Sequence, residues 1–114
     1  MILVIGGRAA GKTAYTQSLG YTQEDTAEAT LDERPVLDHL ERLVQADPEA
    51  GERILPALLK KEVVICDEVG SGVIPASRAE REVREATGRL CIRLAQKADR
   101  VVRLVAGIPT IIKG

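Results

Sequence analysis

The stretch Met1-Ile2-Leu3-Val4-Ile5-Gly6-Gly7-Arg8-Ala9-Ala10-Gly11-Lys12-Thr13 decides the fold. Its first five residues are an apolar run with β-branched members, the pattern of a strand. The next eight match G-x-x-x-x-G-K-[ST], a phosphate-binding loop that needs a strand before it and a helix after it. Residues 12–19 supply that helix, and Gly20 suits its C-terminal end.

The chemistry of such a loop follows from the charge of a nucleoside triphosphate. Several negative charges in a small volume are met by backbone N–H groups, a helix N-terminus and one fixed cation. Gly6 and Gly11 let the backbone approach phosphate oxygens. Gly6, Gly7, Arg8, Ala9, Ala10, Gly11, Lys12 and Thr13 are therefore expected to bind ATP or GTP, with Lys12 reaching the β- and γ-phosphates. The Thr13 hydroxyl is expected to ligate Mg²⁺, which keeps several waters and takes few protein ligands.

A second run, Val63-Val64-Ile65-Cys66-Asp67-Glu68, carries the other candidates. Its continuous apolar part fits a strand covered on both faces. Acids at the carboxyl end of such a strand lie where open α/β sheets bind ligands. Asp67 is a candidate Mg²⁺ ligand, direct or through water. Glu68 is a candidate to orient a substrate group or accept its proton. Two acids opening a loop would look the same in isolation; the loop pattern upstream favours function. Gly70, Gly72 and Pro75 mark a constrained loop, well placed to close over a ligand.

The remaining segments read more plainly. Residues 24–34 are polar and acidic, with a short strand over 27–31 and with Asp25, Glu28, Asp32 and Glu33 solvated. A helix is expected from Pro35, with Val36, Leu37, Leu40, Leu43 and Val44 at helical spacing, closing at Asp47-Pro48. His39 falls inside it; with no partner motif nearby it reads as a partly exposed helix residue rather than a nucleophile or base. A further helix covers 48–61 and a longer one 76–98. Arg78 and Arg81 lie in the first turns of the latter. They either meet phosphate charge or join surface pairs with Glu80, Glu82 and Glu85. Residues 101–105 form a strand, Gly107-Ile108-Pro109 a turn, and 110–113 a hairpin partner. This order gives an α/β, three-layer fold with a mainly parallel sheet and a C-terminal β-hairpin.

Composition narrows the function classes. A length of 114 residues implies one domain, 1–114. With no Phe, no Trp and two Tyr, nothing offers a stacking platform for single-stranded nucleic acid. A net charge of −1 and a pI of about 5.9 argue against a general nucleic-acid binder. No apolar run approaches the ~20 residues that span a bilayer. The first residues are already strand and motif, with no basic leader region, so a cytoplasmic protein is expected. Cys66 and Cys91 lack metal-site spacing and read as reduced thiols.

From Glu68 onward the pattern becomes specific. Glu68-Val69-Gly70-Ser71-Gly72-Val73-Ile74-Pro75 resembles the E-V-G-x-G-[IV]-[VI]-P signature of the adenosylcobinamide kinase/adenosylcobinamide-phosphate guanylyltransferase family of cobalamin biosynthesis. Arg78, Arg81, Arg84, Gly88-Arg89, Leu94-Ala95, Ala98-Asp99 and Ala106-Gly107-Ile108-Pro109 continue the agreement. Cys91 departs from it, standing where the family has Asn, and Asp67 stands where Asn is common.

The resemblance implies a RecA-like P-loop NTPase fold and phosphorylation of the aminopropanol hydroxyl of adenosylcobinamide by ATP or GTP with Mg²⁺. It implies charge neutralisation by Arg78 or Arg81, and a homo-oligomer, a trimer in the family. The family's second step, GMP transfer through a guanylylated histidine, is not carried over. His39 sits in P-V-L-D-H-L-E-R-L, which does not match the family's histidine segment. The alternatives are a nucleotide-binding or regulatory module of the same family without turnover, and a small NTPase in which Glu68 activates water.

Overall fold

The computed structural model describes residues 1–68 and 77–114. Strands and helices follow in the order β1 (Ile2–Gly6), α1 (Lys12–Ser18), β2 (Thr26–Glu28), β3 (Val36–Asp38), α2 (Leu40–Ala46), α3 (Gly51–Leu59), β4 (Val63–Asp67), α4 (Arg78–Lys97), β5 (Arg100–Val105) and β6 (Ile108–Lys113). One six-stranded sheet runs β2-β3-β4-β1-β5-β6. Its first five strands are parallel; β6 runs antiparallel beside β5. The fold is the α/β P-loop NTPase architecture with a C-terminal hairpin that the sequence implies.

Each strand buries alternate side chains on opposite faces, as the pleat requires. Leu3, Leu37, Val64, Cys66 and Val101 point into a core shared with α2, α3 and α4, where Leu40, Val44, Leu58, Leu90 and Leu94 pack. Val4, Val36, Val63, Ile65, Val102 and Leu104 face the other way and meet Ala10, Tyr15 and Tyr21, from the loop, α1 and the chain that follows α1. Helices thus cover both faces and the core is aliphatic throughout. The Cys66 thiol lies in the first cluster. Its hydrogen bond with Cys91 and its burial push its pKa up, so it behaves as a packed, neutral group.

The central part of the chain differs from its sequence pattern. The helix expected from Pro35 begins only at Leu40, because Val36 and Leu37 form β3. Their spacing with Leu40 and Val44 suits a helix, yet Val36 and Leu37 go to opposite faces and pair with Val63 and Val64. The expected strand at 27–31 is realised as the three-residue β2. The helix placed over 48–61 occupies Gly51–Leu59. The last turn sits one step earlier than expected. Ala106 and Gly107 take positive φ of 49° and 77°, the geometry that matches a hairpin's twist, so Ile108 and Pro109 already belong to β6. The expected loop at Gly70, Gly72 and Pro75 lies outside the described residues.

The strand order fixes what faces what. Gly6 at the end of β1 is in register with Asp67 of β4 and Leu104 of β5, while Glu28 of β2 is in register with Asp38 of β3. The carboxyl edge of the sheet therefore reads Glu28, Asp38, Asp67, then the phosphate-loop motif.

Candidate functional site

The loop after β1 is shaped by close backbone approaches. A Cβ at Gly6 would stand 2.8 Å from the Leu104 carbonyl oxygen, so β5 leaves room for glycine alone. Gly11 has φ of 100°, and a Cβ there would meet Gly107 Cα at 3.0 Å. The turn of the C-terminal hairpin is thus packed against the loop, and the Gly107 N–H donates to the Ala10 carbonyl at 2.8 Å. The sequence pattern shows the two glycines but not that the hairpin holds them.

Lys12 opens α1 and is buried. Its ammonium donates to the Gly7 carbonyl at 2.6 Å and pairs with Asp67 Oδ1 at 2.8 Å. A cavity of about 460 Å³ lies over the loop, lined by residues 8–13 together with Asp38, His39, Arg42 and Asp67. Thr13 is exposed to it. The structure therefore brings the loop, Lys12, Thr13 and Asp67 to one place.

Asp38 and His39 stand on this cavity's rim with Glu41 beside them; the sequence pattern does not mark Asp38 or Glu41, and it reads His39 only as a helix residue. Asp38 ends β3 and is buried. Its Oδ1 accepts the His39 backbone N–H at 2.7 Å, and its Oδ2 lies 3.8 Å from His39 Nε2. His39, expected to be an unremarkable helix residue, is instead the cap before α2 in left-handed conformation, φ 58° and ψ 49°. For a residue with a side chain that conformation carries strain, and such strain clusters at functional sites. Its Nδ1 is 3.2 Å from Glu41 Oε2, while Glu41 Oε1 accepts the Asp67 backbone N–H at 2.8 Å. The signal for Asp38 was available: an apolar pair followed by an acid repeats, in short form, the pattern of Val63–Asp67. The helical spacing of the next residues hid it.

The other expected residues stand apart from the loop cavity. Glu68 donates its backbone N–H to the Gly6 carbonyl, but its carboxylate is clasped by Arg103 of β5, at 2.6 Å from Nε and 3.1 Å from Nη2. That fork holds the Arg103 guanidinium above its usual range. Arg78 is exposed and pairs with Glu82 one helical turn on, at 3.5 Å. Arg81 is exposed as well. Neither lines the cavity over the loop.

The donor set of the cavity suits a small hard cation. The Thr13 hydroxyl and the Asp38 and Asp67 carboxylates line this one cavity, and oxygen donors of this kind are those that Mg²⁺ takes. A phosphate loop after the first strand, with carboxylates at the ends of neighbouring strands, defines a P-loop nucleotide-binding protein.

Comparison with known proteins places it more closely. Residues 26–112 match the family described as cobinamide kinase / cobinamide phosphate guanyltransferase, and the chain belongs to that family. Over 53 residues it is 43% identical to the bifunctional adenosylcobalamin biosynthesis protein CobU of Salmonella typhimurium, and 42% identical to the protein of the same name from Escherichia coli. The matched stretch is 46% of this chain but only 29% of each relative.

Proposed function

We propose that this chain is a kinase that moves the terminal phosphoryl group of ATP or GTP onto the aminopropanol hydroxyl of adenosylcobinamide. The observation that carries the reading is the single cavity in which the phosphate loop and Lys12 face Asp38 and Asp67. Membership of the family supports the corrinoid as acceptor.

Phosphoryl transfer is mostly positioning plus charge neutralisation. The backbone of Gly6 to Thr13 cradles the phosphates. Lys12 exchanges its Asp67 partner for phosphate oxygens when nucleotide enters. Thr13, Asp38 and Asp67 would hold Mg²⁺, which would supply neutralisation of phosphoryl charge. Glu68, expected to orient the acceptor, is instead held by Arg103 of β5, and that fork fixes the end of β4 beside the loop. Arg78 and Arg81, expected to take up charge on the transferring group, stand exposed at the start of α4 and outside the loop cavity, so that charge is left to Lys12. The chain works in the cytoplasm as a homo-oligomer, in which subunit contacts cover the exposed aliphatic side chains Val105, Ile108, Ile111 and Ile112 of the hairpin.

Purified protein titrated with Mg-ATP or Mg-GTP and adenosylcobinamide tests this reading. Phosphorylated corrinoid is expected, without a protein–GMP adduct. A second reading, nucleotide binding without turnover, draws support from the ion pair that holds Lys12 on Asp67. Saturable nucleotide binding with no phosphorylated corrinoid would select it.

A further inference from the structure

A second cavity, of about 240 Å³, opens beside the one over the phosphate loop. It lies between α1 and the edge strand β2. Thr13, Gln17 and Asp38 line both cavities, so the two spaces meet at Thr13 and Asp38, the residues proposed for the metal. Its remaining wall combines threonine and glutamine side chains, Thr22 and Gln23 among them, with Tyr21, Ile65 and Glu28. No lysine or arginine lines it.

We propose that this cavity is the acceptor subsite and takes a neutral alcohol whose hydroxyl is oriented and deprotonated by Glu28. This deepens the kinase reading and rests on it. The wall chemistry sets the substrate class. The Glu28 carboxylate, which no lysine or arginine of the lining pairs, disfavours an anionic acceptor, whereas the Gln17 and Gln23 amides can hydrogen-bond a neutral one.

Glu28 is singled out by what the other acids are doing. The Asp38 carboxylate accepts from the His39 backbone, Asp67 pairs with Lys12, Glu41 caps the Asp67 N–H, and Glu68 is held by Arg103. Among the described residues the Glu28 carboxylate makes no hydrogen bond or ion pair, yet one of its oxygens lies within 4.8 Å of ligand atoms of both Asp38 and His39. Register with Asp38 sets it at the sheet's carboxyl edge, one strand further from β1. It therefore has free lone pairs, and it stands on the acceptor side of the metal site.

The alcohol oxygen forms a bond to the γ-phosphorus as the bond from that phosphorus to the β,γ-bridging oxygen breaks. The nucleoside diphosphate leaves with that electron pair, and the alcohol's proton passes to Glu28. In a loose transition state the proton moves late, after the bond to the leaving oxygen has lengthened.

The test uses the full chain with Mg-ATP or Mg-GTP and adenosylcobinamide, and follows nucleotide Kd, acceptor KM and kcat separately. Glu28→Gln is expected to lower kcat by roughly 100-fold, within the span of general-base effects, with nucleotide Kd changed less than twofold. Gln23→Ala is expected to raise acceptor KM several-fold at nearly constant kcat. Unaltered nucleotide Kd in each variant certifies the fold, and Glu28→Asp is the milder substitute should Glu28→Gln misfold. If wild-type protein transfers phosphate and both Glu28 variants do so with unchanged kcat and KM, the subsite is overturned while the kinase reading stands. If wild-type protein binds nucleotide and phosphorylates no corrinoid, the kinase reading falls and the subsite falls with it.

Discussion

The two halves of the sheet's carboxyl edge offer opposite chemistry. The β1 end presents backbone N–H groups and a buried ammonium; the β2, β3 and β4 ends present Glu28, Asp38 and Asp67. They also differ in what supports them. The donor half is braced by covalent neighbours and by the hairpin, through Gly6 against Leu104 and Gly11 against Gly107. The acid half is braced by side chains, with His39 and Glu41 tying Asp38 to Asp67. A triphosphate and its metal need both kinds of group, and this sheet supplies them on adjacent strands. The halves neutralise one another through the Lys12–Asp67 pair, so on the proposed reading nucleotide binding would be an exchange of partners.

Breaking the donor half has the largest expected effect. Lys12→Ala removes the cation that meets developing phosphoryl charge, and corrinoid phosphorylation is expected to drop by ~10²–10³-fold, the scale of losing a preorganised electrostatic group. Circular dichroism should remain native, since the fold's core does not depend on the ammonium. Next comes the acid half. Asp38→Asn is expected to reduce the rate on the order of 10–100-fold and to raise the Mg²⁺ concentration needed for half-maximal rate. A Mg²⁺ titration of variant and wild type reads both numbers.

The joint between the halves gives a subtler effect with an unusual sign. Asp67→Asn frees Lys12 from a competing anion. In the presence of a chelator, nucleotide is expected to bind roughly fivefold more tightly than to wild type, which corresponds to about 1 kcal/mol for a partly exposed pair. Isothermal titration measures it; weaker binding would show that the pair preorganises Lys12 rather than competing for it. The smallest effect is expected at His39. His39→Gly relieves left-handed backbone strain and should raise stability by about 1 kcal/mol in urea unfolding, provided the imidazole's own contacts are worth less. A loss of stability would assign the Asp38 and Glu41 contacts a structural weight that the geometry alone does not require.

The same two halves differ in how much of them was legible in the sequence. The donor half is local. An apolar run, a glycine-rich octet and a helix are contiguous, and backbone geometry there is dictated by residue type. The β4 strand is equally plain because its apolar run is unbroken. The middle of the chain was harder. Val36 and Leu37 satisfy both a strand's alternation and a helix's spacing, and only pairing with Val63 and Val64 decides between them. Once that pair is a strand, Asp38 moves from a helix surface to a strand end and His39 from solvent to the cavity rim. Long-range register was therefore the missing information. It was missing too for Glu68, whose partner Arg103 lies 35 residues away, and for the hairpin turn that packs on the loop. Arg78 and Arg81 fit the family's pattern in sequence, while the structure sets them on an exposed helical turn.

The claim on which all of this depends is that donors and acids act together on one terminal phosphoryl group. Incubation of the full chain with Mg²⁺, γ-phosphate-labelled ATP or GTP and adenosylcobinamide tests it most directly. The account predicts label on the corrinoid, lost when Mg²⁺ is chelated. Label appearing only as inorganic phosphate, or remaining on the nucleotide while nucleotide binds, would contradict it.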